Sequence, residues 1–136
     1  MRKGIFVIGL IALAVAAQAA DAQRRAAPRP PVLRVGTCVR TTIRAVTQRL
    51  EDGVTHRIIP GSGSAVEFAN GLYQVSYDQV PAVNQSRRGD PVFVCLMSLP
   101  RNCPPGDDRG KLYTTTNLRT QESWTLPDAE HGCGGA

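Results

Sequence analysis

The feature that most constrains this chain is its set of four cysteines, Cys38, Cys95, Cys103 and Cys133. An even number of cysteines in a small exported chain predicts disulfides, and four of them allow three pairings. We favour Cys38–Cys95 and Cys103–Cys133, because the first two fall in predicted strands while the other two flank the C-terminal part. Loops of this length stabilise a fold by roughly 4 kcal/mol each in the chain-entropy description.

The first 22 residues predict an export signal. Met1-Arg2-Lys3 forms a basic start, residues 4–17 are uncharged and apolar, and small residues then offer cleavage after Ala19 or Ala22. The apolar run is shorter than the roughly 20 residues that a membrane-spanning helix needs. We therefore expect a periplasmic or secreted bacterial protein with no transmembrane segment in its mature chain.

The formal charge of +5 is concentrated before the first cysteine. Residues 23–34, QRRAAPRPPVLR, contain Arg24, Arg25, Arg29 and Arg34, whereas residues 35–136 carry 10 basic and 10 acidic side chains. We expect residues 23–34 to be a disordered leader, because they have little apolar surface to bury. The leader would attract an anionic cell-envelope polymer, while the neutral domain argues against a nucleic-acid partner.

The clearest local signal is the Asn70-Gly71 pair between two alternating runs, which predicts a β-hairpin. A two-residue type I′ turn would pair Phe68 with Tyr73 on the apolar face. The same register would place Gln74 on the other face, together with Glu67.

Other segments also favour strands. Residues 36–53 fit either a helical stripe or a strand, and their content of Val, Thr and Ile favours one long strand. Residues 56–59 could add a short strand, and residues 89–100 predict a central strand buried on both faces. Residues 111–126 predict a final hairpin. We therefore expect residues 35–136 to form one all-β domain of about five strands, an antiparallel barrel or sandwich, with an OB-like barrel as one possibility.

The run CPPGDDRGK, residues 103–111, contains the most conspicuous cluster of charged residues. Asp107 and Asp108 are adjacent, so in an extended chain they point to opposite sides and do not form a calcium loop. The spacing of a phosphate-binding loop is also absent. We interpret residues 104–107 as a turn in which an aspartate caps backbone N–H groups and Arg109 pairs locally.

No catalytic residue, cofactor or metal is predicted. A zinc site built from His131 and three cysteines (Cys95, Cys103 and Cys133) would lack the paired spacing of structural zinc sites, so disulfides are favoured. Trp124 either lines a sugar- or peptide-binding face or belongs to the core. Asp107, Asp108, Arg109 and Trp124 are therefore kept as candidate binding residues.

Two segments carry resemblances to known proteins. The CPPGD-x-RG and NLRT-x-x-SW-x-LPD segments resemble a group of small exported bacterial proteins of unknown function, which implies export and a disulfide-bonded fold but no activity. PGSGSAVEF, residues 60–68, is similar to periplasmic inhibitors of c-type lysozyme. That similarity implies a small β-barrel with Ser62 and Ser64 as candidate contacts.

The sequence thus predicts a non-enzymatic binding or structural protein of the bacterial cell envelope, whose partner is a protein or an anionic polymer. Two alternatives remain open. One is a lysozyme-inhibitor-like protein, and the other is a small cell-envelope enzyme that uses a carboxylate or His131.

Overall fold

The computed structural model describes residues 28–135. The predicted signal peptide, residues 1–22, and residues 23–27 of the predicted leader lie outside this range. Within it the strands are β1 (Cys38–Gln48), β2 (Ser64–Phe68), β3 (Tyr73–Ser76), β4 (Pro91–Ser98), β5 (Leu112–Asn117) and β6 (Ser123–Pro127), and a short helix, α1, spans Pro81–Asn84.

The six strands of the described residues form one antiparallel sheet in the order β3-β2-β1-β4-β5-β6. The sheet curls so that its edge strands, β3 and β6, approach each other and give a half-barrel. The predicted all-β antiparallel class is confirmed, and within the described residues the barrel-like alternative replaces the two-sheet sandwich. The predicted short strand at residues 56–59 is reduced to a single bridge between Glu51 and Ile58.

Strand β1 holds the two halves of the sheet together. Its first half pairs with β4 and its second half with β2, and the register shifts between Ile43 and Ala45. Such an irregularity bends a strand and increases its twist, which lets one long strand serve both halves of a curled sheet. The strand interpretation of this segment is confirmed, since β-branched side chains suit a pleated surface better than a helix.

The hairpin between β2 and β3 is present, but its predicted turn and register are wrong. The loop has three residues, 69–71, and the Gly71 N–H donates to the carbonyl of Phe68 at 3.0 Å. Gly71 takes a φ of +85°, the left-handed conformation that closes three-residue hairpins. Tyr73 therefore pairs with Glu67 and not with Phe68. A slip of one residue exchanges the two faces of β3.

As a result, Gln74 points into the half-barrel, where it is fully buried. Its Nε2 donates to the carbonyls of Tyr113 (2.7 Å) and Leu126 (3.1 Å). Its Oε1 accepts from the Thr115 hydroxyl (2.6 Å) and the Trp124 indole N–H (2.9 Å). One side chain thereby joins β3 to β5 and β6 across the opening of the sheet, and every polar atom of its amide has a partner.

The core lies on the concave side of the sheet. Strand β4 is central, as predicted, but it is buried on one face only: Val94 is fully buried, whereas Phe93 and Met97 point outward and are 42% and 48% exposed. The buried apolar side chains that pack together as one core cluster are Ile43, Val66, Phe68, Leu72, Val83, Val92, Val94, Leu96, Tyr113 and Trp124.

Both predicted disulfides are confirmed. Cys38–Cys95 joins β1 to β4, and Cys103–Cys133 joins the loop after β4 to the C-terminal residues. These bonds exclude the alternative zinc site, which needs three of the same sulfurs as thiolates. Within residues 28–135 no group of three His, Cys, Asp or Glu side chains is placed to hold a metal ion.

A buried carboxylate fastens the start of β4 to the hairpin between β5 and β6. Asp90 accepts hydrogen bonds from Arg119 Nε (2.6 Å) and Nη2 (2.9 Å), from the Asn117 amide (2.8 Å) and from the Arg87 N–H (2.8 Å). The hydrogen bonds from Arg119 lower the pKa of Asp90 well below its usual range, although burial opposes the shift. We call Asp90, Asn117 and Arg119 the Asp90 cluster.

Candidate binding groove

A groove of about 580 Å³ opens at one end of the half-barrel. Its floor is apolar and consists of Leu72, Leu96 and Tyr113, which also belong to the core. Leu99, which follows β4, lines the same groove and is 52% exposed. These residues combine an apolar floor with an accessible apolar edge, the usual make-up of a ligand site.

Residues 28–33, which we call the strap, pass across this end of the half-barrel. Residues 29–33 line the groove, and Leu33 packs against the core. The strap crosses directly over Gly71, where a β-carbon would stand 2.1 Å from the Pro28 carbonyl oxygen. The close approach of the two backbones therefore needs glycine at this position, in addition to its left-handed φ. The packed part of the chain begins before Val35, inside the predicted leader.

Four charged residues line the groove, and three of them contact one another: the four are Arg29, Asp108, Lys111 and Asp128. Lys111 Nζ contacts the carboxylates of Asp108 and Asp128, the latter at 3.5 Å. Asp128 also accepts the N–H groups of Gly110 (2.8 Å) and Lys111 (2.9 Å). Burial would lower the pKa of Lys111, but the two carboxylates raise it overall, and the hydrogen bond from Lys111 lowers the pKa of Asp108. Both groups therefore stay charged near neutral pH and are poor proton-transfer groups.

The tyrosine in the floor is equally unreactive. Burial raises the pKa of Tyr113, and the charge of Asp128 raises it further. Its phenol therefore stays protonated at neutral pH, and the ring serves as an apolar surface with a polar tip.

The candidate residues of the CPPGDDRGK run separate into two groups. The turn is confirmed, because the Asp107 N–H donates to the Pro104 carbonyl at 3.1 Å. Asp107 accepts two hydrogen bonds from the Arg109 side chain (2.8 Å each) and one from the Gly134 N–H (3.0 Å). Asp107 and Arg109 are thus engaged with each other and with the C-terminal residues, whereas Asp108 lies on the rim of the groove.

The three remaining candidate binding residues, Ser62, Ser64 and Trp124, make their contacts inside the fold. The Ser64 hydroxyl is buried, accepts the Val80 N–H at 2.8 Å and donates to the Asn84 side chain at 3.0 Å. Ser62 is half-buried and accepts the Leu50 N–H at 3.0 Å. Trp124 is 5% exposed and belongs to the core. The structure therefore brings Asp108 alone of the predicted binding residues to the groove.

A second cluster of polar residues surrounds Tyr77, which follows β3. The Arg49 guanidinium lies 4.1 Å from the centre of the Tyr77 ring and 3.2 Å from the Glu130 carboxylate. The Tyr77 hydroxyl lies 3.4 Å from His131 Nδ1. Glu130 and Tyr77 also line a smaller cavity of about 210 Å³. The arginine is held by its two neighbours, so this cluster fastens β1 and β3 to the chain after β6.

Sequence reasoning missed the apolar residues of the groove. Leu72, Leu96 and Tyr113 stand in strands or turns as ordinary core positions do, and no local pattern distinguishes a residue that floors a groove from one that is covered. A signal for Leu99 was present: it is a large apolar residue placed directly after a strand and before Pro100, where polar residues are usual.

Comparisons of the chain with protein-family models, with curated proteins and with solved structures find no match. The two resemblances described above therefore stay predictions. None of the helices in residues 28–135 is long and apolar enough to cross a membrane.

Proposed function

We propose that this chain is an exported, non-enzymatic binding protein of the bacterial cell envelope, and that it takes an uncharged apolar ligand group in the groove. The observation that carries the proposal is the groove itself. Its volume of about 580 Å³ is within the range of roughly 300–1,000 Å³ found for small-molecule sites. The two disulfides support export, because such bonds persist in oxidising compartments.

The charges around the groove favour an uncharged ligand. Lys111 is already paired with two carboxylates, so an anionic ligand that reached it would have to displace one of them. The attraction of Arg29 for such a ligand would be opposed by Asp108 and Asp128, which line the same groove. A cationic ligand would meet the charge of Lys111. An apolar group avoids both costs and gains by removing the leucine side chains from water.

The same residues give less support to an enzyme. Asp108 and Lys111 hold each other in their charged forms, whereas a general acid or base needs a pKa close to the working pH. The lysozyme-inhibitor alternative is supported less as well, since the Ser64 hydroxyl is buried and bonded inside the fold. Of its two candidate contacts, Ser62 alone is even partly accessible.

The proposal is tested with Nile red, an uncharged dye that fluoresces in apolar sites. We expect the full mature chain to bind the dye, and the Leu99→Asp variant to bind it at least tenfold more weakly, because a carboxylate at the groove edge has to be desolvated. The matched control is Leu118→Asp, since Leu118 is also exposed, at 36%, and lies outside the groove. Circular dichroism verifies that both variants are folded. Equal binding by Leu99→Asp, or no binding by the native chain, would refute the proposal.

A further inference from the structure

The disulfide Cys38–Cys95 connects two residues that the sheet already holds together. Cys38 and Cys95 stand directly opposite each other in the β1–β4 ladder, with a Cα–Cα distance of 3.9 Å. On one side of the pair, the Leu96 N–H donates to the Thr37 carbonyl at 3.0 Å. On the other side, Val39 is paired with Val94. The position of these two strands therefore does not depend on the sulfur–sulfur bond.

The same disulfide lies on the outward face of the sheet. Cys38 is exposed and Cys95 is half-buried. The neighbours of Cys95 on this face of β4 are Phe93 and Met97, which are 42% and 48% exposed, so the face is open to solvent. Arg40 and Arg44 are the charged residues at exposed positions of β1, and β4, β5 and β6 contain no charged residue. Both charges are positive, so little electrostatic repulsion opposes an approaching thiolate.

The second disulfide stands in different surroundings. Cys103 and Cys133 are both half-buried and belong to irregular segments with no ladder between them. The Cys133 N–H donates to the Arg109 carbonyl at 2.9 Å, and the next N–H donates to Asp107. Opening this bond would leave the C-terminal residues held to the loop after β4 by these two hydrogen bonds, with no strand pairing to support them.

We propose that Cys38–Cys95 is a thiol–disulfide exchange site, which accepts two electrons from an external dithiol while the domain stays folded. Exposed disulfides are in general the ones that exchange, whereas structural ones resist reduction. The substrate is therefore a dithiol, either a small molecule or the paired cysteines of a second protein. This inference concerns the outer face of the sheet and does not depend on the groove.

The exchange has two steps. A thiolate of the dithiol attacks the sulfur of the more exposed cysteine, Cys38. The new sulfur–sulfur bond forms as the Cys38–Cys95 bond breaks, and Cys95 leaves as a thiolate. The second thiol of the reductant, as its thiolate, attacks its own sulfur in this mixed disulfide and releases Cys38. The dithiol is oxidised to its disulfide, the protein gains two electrons, and the two protons of the dithiol end on Cys38 and Cys95.

The test uses the native full chain and dithiothreitol as the dithiol. Samples are quenched with N-ethylmaleimide at increasing times and mapped as peptides, while the fluorescence of Trp124, the single tryptophan, reports on the core. We expect Cys38 and Cys95 to be labelled at least tenfold faster than Cys103 and Cys133, with no change in the Trp124 spectrum. Equal rates, faster labelling of Cys103 and Cys133, or loss of the Trp124 spectrum in step with labelling would overturn the proposal.

Two double variants provide matched controls. Cys103→Ser with Cys133→Ser should keep the fast phase of dithiothreitol consumption, and Cys38→Ser with Cys95→Ser should lose it. Glutathione, a monothiol, should accumulate as a mixed disulfide on Cys38 in the native chain, and accumulation on Cys103 or Cys133 instead would contradict the assignment. The measurements on the native chain decide the question even where a variant does not fold.

Discussion

Asp90 and Asp107 have similar hydrogen-bond partners but stand in different parts of the molecule. Each carboxylate accepts two hydrogen bonds from an arginine side chain and at least one from a backbone N–H. Asp90 is 7% exposed in its side chain and is joined to an arginine 29 residues away. Asp107, whose side chain is 20% exposed, is joined to an arginine two residues away. The two arginine side chains are both exposed, Arg119 at 38% and Arg109 at 50%.

The location of an ion pair, more than its geometry, therefore decides what the pair contributes to the free energy of unfolding. Removing one partner of a buried pair leaves an uncompensated charge away from water, whereas water solvates whatever is left of an exposed pair. The Asp90 cluster also joins two strands and a hairpin, so its loss affects the packing of the sheet. The Asp107 pair orders a loop that a disulfide already holds.

The largest expected effect is that of Asp90→Asn. The change places a neutral amide at the buried end of the pair and turns its NH₂ group toward the donors of Asn117 and Arg87, so the free energy of unfolding should fall by about 2 kcal/mol. The Arg119 side chain, which is 38% exposed, keeps part of its hydration. Urea denaturation followed by Trp124 fluorescence measures the loss. Asp78→Asn, at an exposed position, is the matched control and should be close to neutral. A loss below about 1 kcal/mol would show that the buried Asp90 contributes no more to stability than an exposed ion pair does.

We expect acid to have an intermediate effect on the stability of the native chain. Because the pKa of Asp90 is lower in the folded chain than its unfolded value of about 3.9, its contribution is present above that value and is lost as the pH falls toward the folded pKa. The melting temperature of the native chain should therefore decrease steeply as the pH falls below about 4. In Asp90→Asn this decrease should be clearly shallower, and an unchanged pH profile would remove Asp90 as its cause.

The smallest expected effect is that of Asp107→Asn. The hydrogen bonds from Arg109 lower the pKa of Asp107, but the Asp107 and Arg109 side chains are 20% and 50% exposed, and Cys103–Cys133 keeps the loop closed without them. The melting temperature should change much less than in Asp90→Asn. Amide hydrogen exchange should become faster at Gly134 and its neighbours and stay unchanged in the strands. Global destabilisation as large as that of Asp90→Asn would erase the distinction between the two sites.

Local chemistry predicted the hairpin but could not decide its register. Gly71 fits the second position of a two-residue turn and equally the left-handed position that ends a three-residue loop. The choice between these two loops depends on whether the Gln74 side chain finds hydrogen-bond partners inside the half-barrel. Those partners come from β5 and β6, about 40 to 50 residues further along the chain. The local pattern therefore predicted an outward Gln74, whereas the closure of the sheet buries this side chain.

The disulfides and the CPPGDDRG turn were predictable because their chemistry is local or countable. Cysteine number and strand positions limited the pairings, and each residue of the turn has a recognised role in turns. The groove was not predictable in the same way. It exists because the strap and the end of the half-barrel leave space between them. Leu72 and Tyr113 are groove residues only because they face that space.

The pairing of the cysteines bears on how the chain matures. The bonds run between the first and second cysteines and between the third and fourth. When a polypeptide emerges from a ribosome or a translocation channel with its N-terminus first, Cys38 meets Cys95 before any other cysteine has appeared. If that bond has closed when Cys103 appears, eight residues later, Cys103 can pair with Cys133 alone. Vectorial emergence thus favours the native pairing to the extent that Cys38–Cys95 closes faster than those eight residues emerge.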